Sequence, residues 1–187
     1  MIRATLLIST LVLAGGCATV PMIQGGPPPF VIAKDGVAQC RIVVGADAPP
    51  STKYAAEELQ RFLGEITGAK FGVVPDTEPF ANNVIIVGCN KHFDRVKKDN
   101  GLYEGLGNEG YALLNTSSHL LIAGGEPRGT LYGVYGLLED HFGCRWFTPA
   151  VSRIPKQPDL SVPISSYRVI PTLEYREPFV ADCFDGD

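Results

Sequence analysis

The chain has 187 residues, enough for one domain of ordinary size with a real core. Its 45% hydrophobic and 19% charged composition excludes a disordered chain. A net charge of −4 with no basic cluster excludes nucleic acid as a partner, and 21 glycines with 15 prolines point to many turns and at least one linker.

The N-terminus reads as a targeting segment. Arg3 supplies positive charge, and Leu6 to Leu13 is an apolar run too short to span a bilayer comfortably. Small residues then lead to Cys17. Residues 1–17 resemble a bacterial lipoprotein signal, in which the Cys is acylated and becomes the new N-terminus. The match departs at one place: the usual Leu three residues before the Cys is Ala14, with Leu13 one position early. Plain secretion and an uncleaved anchor stay open beside lipidation. Acyl chains on Cys17 would hold the protein on a membrane. Residues 18–34, with Gly25-Gly26 and Pro27-Pro28-Pro29, read as a flexible tether.

If Cys17 is lipidated, Cys40, Cys89, Cys144 and Cys183 remain. Four cysteines allow three full pairings, and buried free thiols are the alternative. No Cys-x-x-Cys spacing supports a redox or zinc-ribbon site.

Residues 35–150 read as one domain. Gln39 to Val44 is a first strand. Ser51 is placed to cap a helix in which Ala55, Leu59, Phe62, Leu63 and Ile66 form one apolar stripe. Lys53–Glu57 and Glu57–Arg61 have the spacing of i,i+4 ion pairs, and Gly68 stands where a C-terminal cap belongs. Lys70 to Val74 is a short strand. Val84 to Val87 is a β-branched run that predicts a strand covered on both faces. Lys91 to Lys98 is a short polar helix, and residues 100–109 a glycine-rich loop. Gly110 to Asn115 and His119 to Ala123 form a hairpin.

Gly124-Gly125 opens a second main helix, with Pro127 near its first turn. Leu131, Val134, Tyr135, Leu138 and Phe142 share its core side. Gly129, Gly133 and Gly136 line the opposite face, at roughly 1 kcal/mol each against alanine. That cost predicts close packing, with a neighbouring module as one candidate for the contact; a solvated face is the alternative. After Trp146 the prolines at 149, 155, 158, 163 and 171 mark a connector over residues 151–171, with Leu160-Ser161-Val162 as a short strand. Thr172 to Val180 reads as a new strand of a further unit.

Several constellations carry no site. Gly124-Gly125 lacks the Gly-Lys-Ser/Thr of a phosphate loop and is read as a tight strand-to-helix turn. Glu139, Asp140, His141 and Cys144 lack the His-Glu-x-x-His spacing of a zinc site, and His141 suits a helix C-terminus. Asp182, Asp185 and Asp187 lack the spacing of a calcium loop. His92 and His119 have no evident partner. Trp146 is read as packing on the domain's own core. No metal, cofactor or catalytic residue is assigned.

Tyr54-Ala55-Ala56-Glu57-Glu58-Leu59, Val84 to Gly88, Gly125-Glu126-Pro127-Arg128-Gly129-Thr130-Leu131-Tyr132-Gly133 and Gly143-Cys144-Arg145-Trp146-Phe147-Thr148-Pro149 together resemble the N-terminal domain of α-glucuronidase-type glycoside hydrolases. The same region is similar to the second domain of chitobiase and β-hexosaminidase enzymes. The resemblance implies an α+β fold: a small mixed β-sheet with two main helices on one face, followed by a (β/α)8 barrel, of which residues 172–187 would be the truncated start. It also implies a non-catalytic accessory domain, with the carbohydrate substrate held by the barrel. There Arg176 would grip sugar hydroxyls, a role suited to its rigid fork of donors; pairing with Glu174 or Glu177 is the alternative. The catalytic acids of the family lie on later strands. The rival reading is a surface lipoprotein that binds carbohydrate without catalysis.

Overall fold

The computed structural model describes residues 28–97, 101–163 and 165–173. Within them the chain order is β1 (Phe30–Lys34), β2 (Val37–Ala38), β3 (Arg41–Val44), α1 (Pro50–Thr67), β4 (Val73–Pro75), β5 (Val84–Val87), α2 (Lys91–Val96), β6 (Tyr111–Asn115), β7 (His119–Gly124), α3 (Gly129–Gly136), a π-helical turn (Leu137–His141), β8 (Arg145–Thr148), β9 (Val151–Arg153), β10 (Leu160–Val162) and β11 (Ser166–Val169). The main sheet has six strands in the order β11-β6-β7-β5-β3-β4. β4, β3, β5 and β7 are parallel, while β6 and β11 run antiparallel to their neighbours.

Strand alternation sends successive side chains to opposite faces. Ile42, Ile85, Val87, Leu120 and Ile122 point to the side of the two main helices, where they meet Ala55, Leu59, Leu63 and Ile66 of α1 and Val134 of α3. Val43, Val84, Ile86, Leu121 and Ala123 point the other way, under Phe93 of α2 and Leu102 and Tyr103 of the following loop. All four residues of β5 are buried, as its unbroken apolar run predicts. Each fully buried Leu or Ile contributes about 1.5–3 kcal/mol, so α1 is held mainly by its stripe. Gly68 ends α1 in the left-handed conformation, φ 77°, with its N–H on the Gly64 carbonyl.

Local expectations differ from the structure in two places on α1. The residue at the N-cap is Pro49, and Ser51 lies inside the first turn. Arg61 pairs with Glu58 at 2.9 Å and Glu65 at 3.2 Å, rather than with Glu57. Glu58 is nearly buried and also accepts from the Tyr135 hydroxyl at 2.6 Å, so it offers the guanidinium a better-fixed partner.

The domain limits are wider than 35–150. Phe30 and Ile32 are fully buried in β1, so the end of the expected tether is core. β1 pairs antiparallel with both β2 and β10, which makes a second, three-stranded sheet. The expected connector likewise stays in the domain. Leu160 and Val162 are buried, and β11 adds an edge strand beside β6. Prolines 155, 158 and 163 stand between these strands rather than within them, where a missing N–H breaks no ladder. Asn115 ties the region down, with its Nδ2 donating to the Val162 and Pro163 carbonyls at 2.8 Å each.

Candidate functional site

The stretch from Gly124 to Pro149 is built on a knot of glycines. β7 ends at Gly124, and the chain turns through Gly125-Glu126-Pro127-Arg128 into α3. A Cβ on Gly125 would overlap the Gly107 carbonyl oxygen; one on Gly124 would overlap the backbone of Gly129; one on Gly129 would overlap the Gly110 carbonyl oxygen. Three backbone segments therefore meet with no room for side chains. Gly129 N–H bonds the Asn108 and Gly125 carbonyls, and Gly125 N–H bonds the Gly110 carbonyl. Thr130 Oγ1 accepts from Gly124 N–H at 3.1 Å. These bonds occupy the N–H groups that a phosphate would need.

Arg128 closes the knot. Its Nη2 lies 2.6 Å from Glu109 Oε1, joining the start of α3 to the glycine-rich loop. Arg128, the loop from Gly105 to Gly110 and the chain from Ile170 to Leu173 border a groove of about 580 Å3. The groove lies at the edge of the sheet where β7 and β11 end.

The glycine face of α3 is packed, but it does not lie opposite the core side: it rests on the domain's own sheet rather than on another module. A Cβ on Gly133 would come within 2.9 Å of Ile122 Cγ2 and 3.2 Å of Tyr111 Cβ, and one on Gly136 would overlap the Tyr111 hydroxyl. Val134, Leu138 and Phe142 are buried on the core side, as their spacing predicts. After Gly136 the helix widens into the π turn, which has no signature in the local sequence.

Trp146 packs inward on Phe62 and Tyr135, both edge-on with centroids 5.1 Å away. Its neighbour Phe147 is 65% exposed on a hairpin formed by β8 and β9. Beside this hairpin, Glu139, Asp140 and His141 of the π turn, Arg145, Arg153 and Gln157 line a depression of about 380 Å3. Residue type in the sequence singles out Glu139, Asp140 and His141 but does not bring Arg145 and Arg153 together, because Arg153 lies on β9, which reads as connector.

The histidines are structural in their contacts. His141 stacks on Tyr167, with its Nε2 3.2 Å from the phenol oxygen. His92 and His119 flank Phe80, and their Nε2 atoms donate to the carbonyls of Glu78 and Ala81 at 3.0 and 3.1 Å. Cys40 and Cys144 are buried free thiols, and Cys89 is free and exposed. Burial pushes the Cys40 thiol up to about 12. Among the described residues no group of three or more His, Cys, Asp and Glu is placed to hold a metal ion. Arg176, Cys17, Cys183, Asp182, Asp185 and Asp187 lie outside the described residues.

Solved structures share this fold. A family GH115 4-O-methyl-α-glucuronidase with specificity for decorated arabinogalactans superposes with a TM-score of 0.55 at 18% identity, covering 78% of this chain and 19% of its own. The GH20 β-N-acetylhexosaminidase of Streptomyces coelicolor A3(2) gives 0.51 at 18% identity, covering 81% and 25%. A mutant Streptomyces plicatus β-hexosaminidase in complex with product (GlcNAc) gives 0.50 at 18%, with the same coverage of 81% and 25%. The architecture is thus a mixed-sheet α+β unit that recurs as a part of glycoside hydrolases, and the chain spans a fifth to a quarter of the length of these structures. No curated protein matches the sequence. The family described as Glycosyl hydrolase family 67 N-terminus matches residues 34–137, more than half of the chain, and the chain belongs to that family.

Proposed function

We propose that this chain is the non-catalytic N-terminal accessory domain of an exported glycoside hydrolase that breaks down polysaccharide or glycoconjugate. The observation that carries the reading is the family match over residues 34–137, which takes in the helix α1, five of the six strands of the main sheet and the glycine knot. The glucuronidase and hexosaminidase likenesses support it at the level of fold. The carbohydrate substrate then belongs to a barrel whose first strand begins near Thr172, and Arg176 is a ligand to sugar hydroxyls there. Glycoside cleavage needs two carboxylates across the scissile bond, and this reading assigns both to the barrel. The signal ending at Cys17 exports the protein, and lipidation of Cys17 anchors it to the membrane.

One comparison tests the reading. The gene expressed through its natural stop should release aryl from aryl α-glucuronides or β-N-acetylhexosaminides, and the 187-residue chain alone should not. Turnover by the chain alone overturns it, as does a natural stop directly after Asp187. In the same preparations the full-length protein should sediment with membranes, and Cys17→Ser should release it to the soluble fraction.

A further inference from the structure

We infer that the depression between the π turn and the β8–β9 hairpin is a binding site for a sugar acid, with the two arginines taking the carboxylate and the two acidic side chains taking ring hydroxyls.

Three observations converge there. First, Arg145 and Arg153 are direct cross-strand partners in the β8–β9 ladder. Like charges directly opposite each other destabilise a ladder, so the pair opposes the hairpin that carries it. Arg145 is fixed in place, with its Nη1 donating to the Glu139 and Cys144 carbonyls at 2.7 and 2.6 Å. A guanidinium has five N–H donors, so Arg145 keeps donors to spare. Second, Glu139, Asp140, Arg145 and Arg153 line one depression, yet none of the four is in an ion pair among the described residues. Two cations and two anions that share a hollow without pairing leave donors from the hairpin and acceptors from the π turn around one space. Third, Glu139 and Asp140 stand on a π turn, an irregular form found preferentially at functional sites because it re-aims side chains that a regular helix would direct elsewhere.

The ligand class is set by that division. Two guanidinium forks suit a planar carboxylate, which accepts two parallel N–H bonds. The Glu139 and Asp140 carboxylates in the same lining accept from hydroxyl donors, and Gln157 adds an amide. A uronic acid carries a carboxylate at one end of its ring and hydroxyls at the other. The volume of about 380 Å3 lies in the range of small-molecule sites. This site stands on residues 139–157 alone, so it holds or fails independently of any barrel beyond Leu173.

The test is a titration of the 187-residue chain with D-glucuronate, monitored by NMR or calorimetry, with D-glucose and acetate as the other two probes. Glucuronate should saturate with an affinity on the order of 1 mM, and about 0.5 M salt should weaken it. Glucose and acetate should each bind at least about tenfold more weakly. Arg153→Gln should weaken glucuronate at least about tenfold while keeping or raising the unfolding midpoint, since it removes a like-charge pair. Arg153→Lys should fall between the two. Absence of saturation up to about 50 mM glucuronate overturns the assignment. So does equal binding of glucose or acetate, or unchanged affinity in a folded Arg153→Gln protein.

Discussion

Gly125 and Gly72 differ in what surrounds them, and that difference sets what a methyl group does at each. At Gly125 an added Cβ meets the Gly107 carbonyl, in a place where three backbones already touch. Overpacking a tight site costs about 1–3 kcal/mol, and the obstacle here is backbone, which yields less than a side chain. Gly125→Ala should therefore lower stability by about 3 kcal/mol, read from the midpoint of urea unfolding. Gly72 has open space around its Cβ position and no positive φ. Gly72→Ala should be neutral or gain about 0.4–1 kcal/mol by restricting the unfolded chain. Equal effects at the two positions would remove the knot as the reason for the glycine motif. Arg128 and Glu109 reinforce the same point with a short ion pair, but Arg128 is more than half exposed, so the backbone contacts carry more of the hold.

At the scale of elements, the loop between β4 and β5 is held by polar groups that respond to pH. Asp76 is nearly buried and accepts from the Ala46 and Lys91 N–H groups at 3.0 and 3.2 Å. The Ala46 bond is the largest cause that holds its carboxyl below the usual range, and the Lys91 bond adds to it against the cost of burial. Its stabilisation is present above the unfolded carboxylate value and is lost only as pH falls through the lower folded value. His119 acts at higher pH. Burial lowers its pKa, helped by the nearby His92 and opposed by the bond to Ala81. The neutral ring is thus the folded form. Its contribution is complete above the unfolded value of about 6.5 and declines as pH falls toward the lower folded value. The urea midpoint should drop between about pH 7.5 and pH 5.5. His119→Phe keeps an aromatic ring on Phe80 and should flatten that drop; an unchanged slope would assign it to other groups.

How much of this was legible in the sequence depends on the range of the interactions. α1 was readable because its 18 residues repeat one stripe and end on Gly68. β5 and the β6–β7 hairpin were readable because β-branched runs and short turns are local signals. β1, β9 and β11 were not. β1 is held by β10, far along the chain, and β11 by β6, and a short strand with a distant partner looks like linker until the partner is known. The glycines of α3 signalled close packing correctly, but nothing local named Tyr111 and Ile122 as what they pack on. The same holds for the candidate site. Glu139, Asp140 and His141 attracted notice by residue type, whereas Arg153 became relevant only once β9 was paired with β8.

At the scale of the molecule, the stable unit begins before residue 35 and runs past residue 150. Phe30 and Ile32 are each fully buried, and losing a core side chain of that size costs about 2–5 kcal/mol. A chain beginning at residue 28 should unfold at the same urea concentration as the whole. One beginning at residue 35 should lose most of its stability or fail to fold, measured by circular dichroism. If both were equally stable, β1 would be an ornament on a core complete without it. The two ends of the domain are thus neighbours. Phe30 lies opposite Val162, and the next strand, β11, closes the edge of the main sheet.

That closure has a consequence for synthesis. A growing chain has β1 in hand early, but its partner β10 is made only when almost all of the domain has been. Until then β1 lacks the strand that pairs with it on one side, and the hairpin β6–β7 presents an open edge where β11 will lie. The domain cannot finish folding stepwise behind the ribosome. It stays incomplete until residue 169 has emerged. In the export proposed above, where the chain passes a membrane channel as an extended thread, a fold completed by its last strands delays its own obstruction.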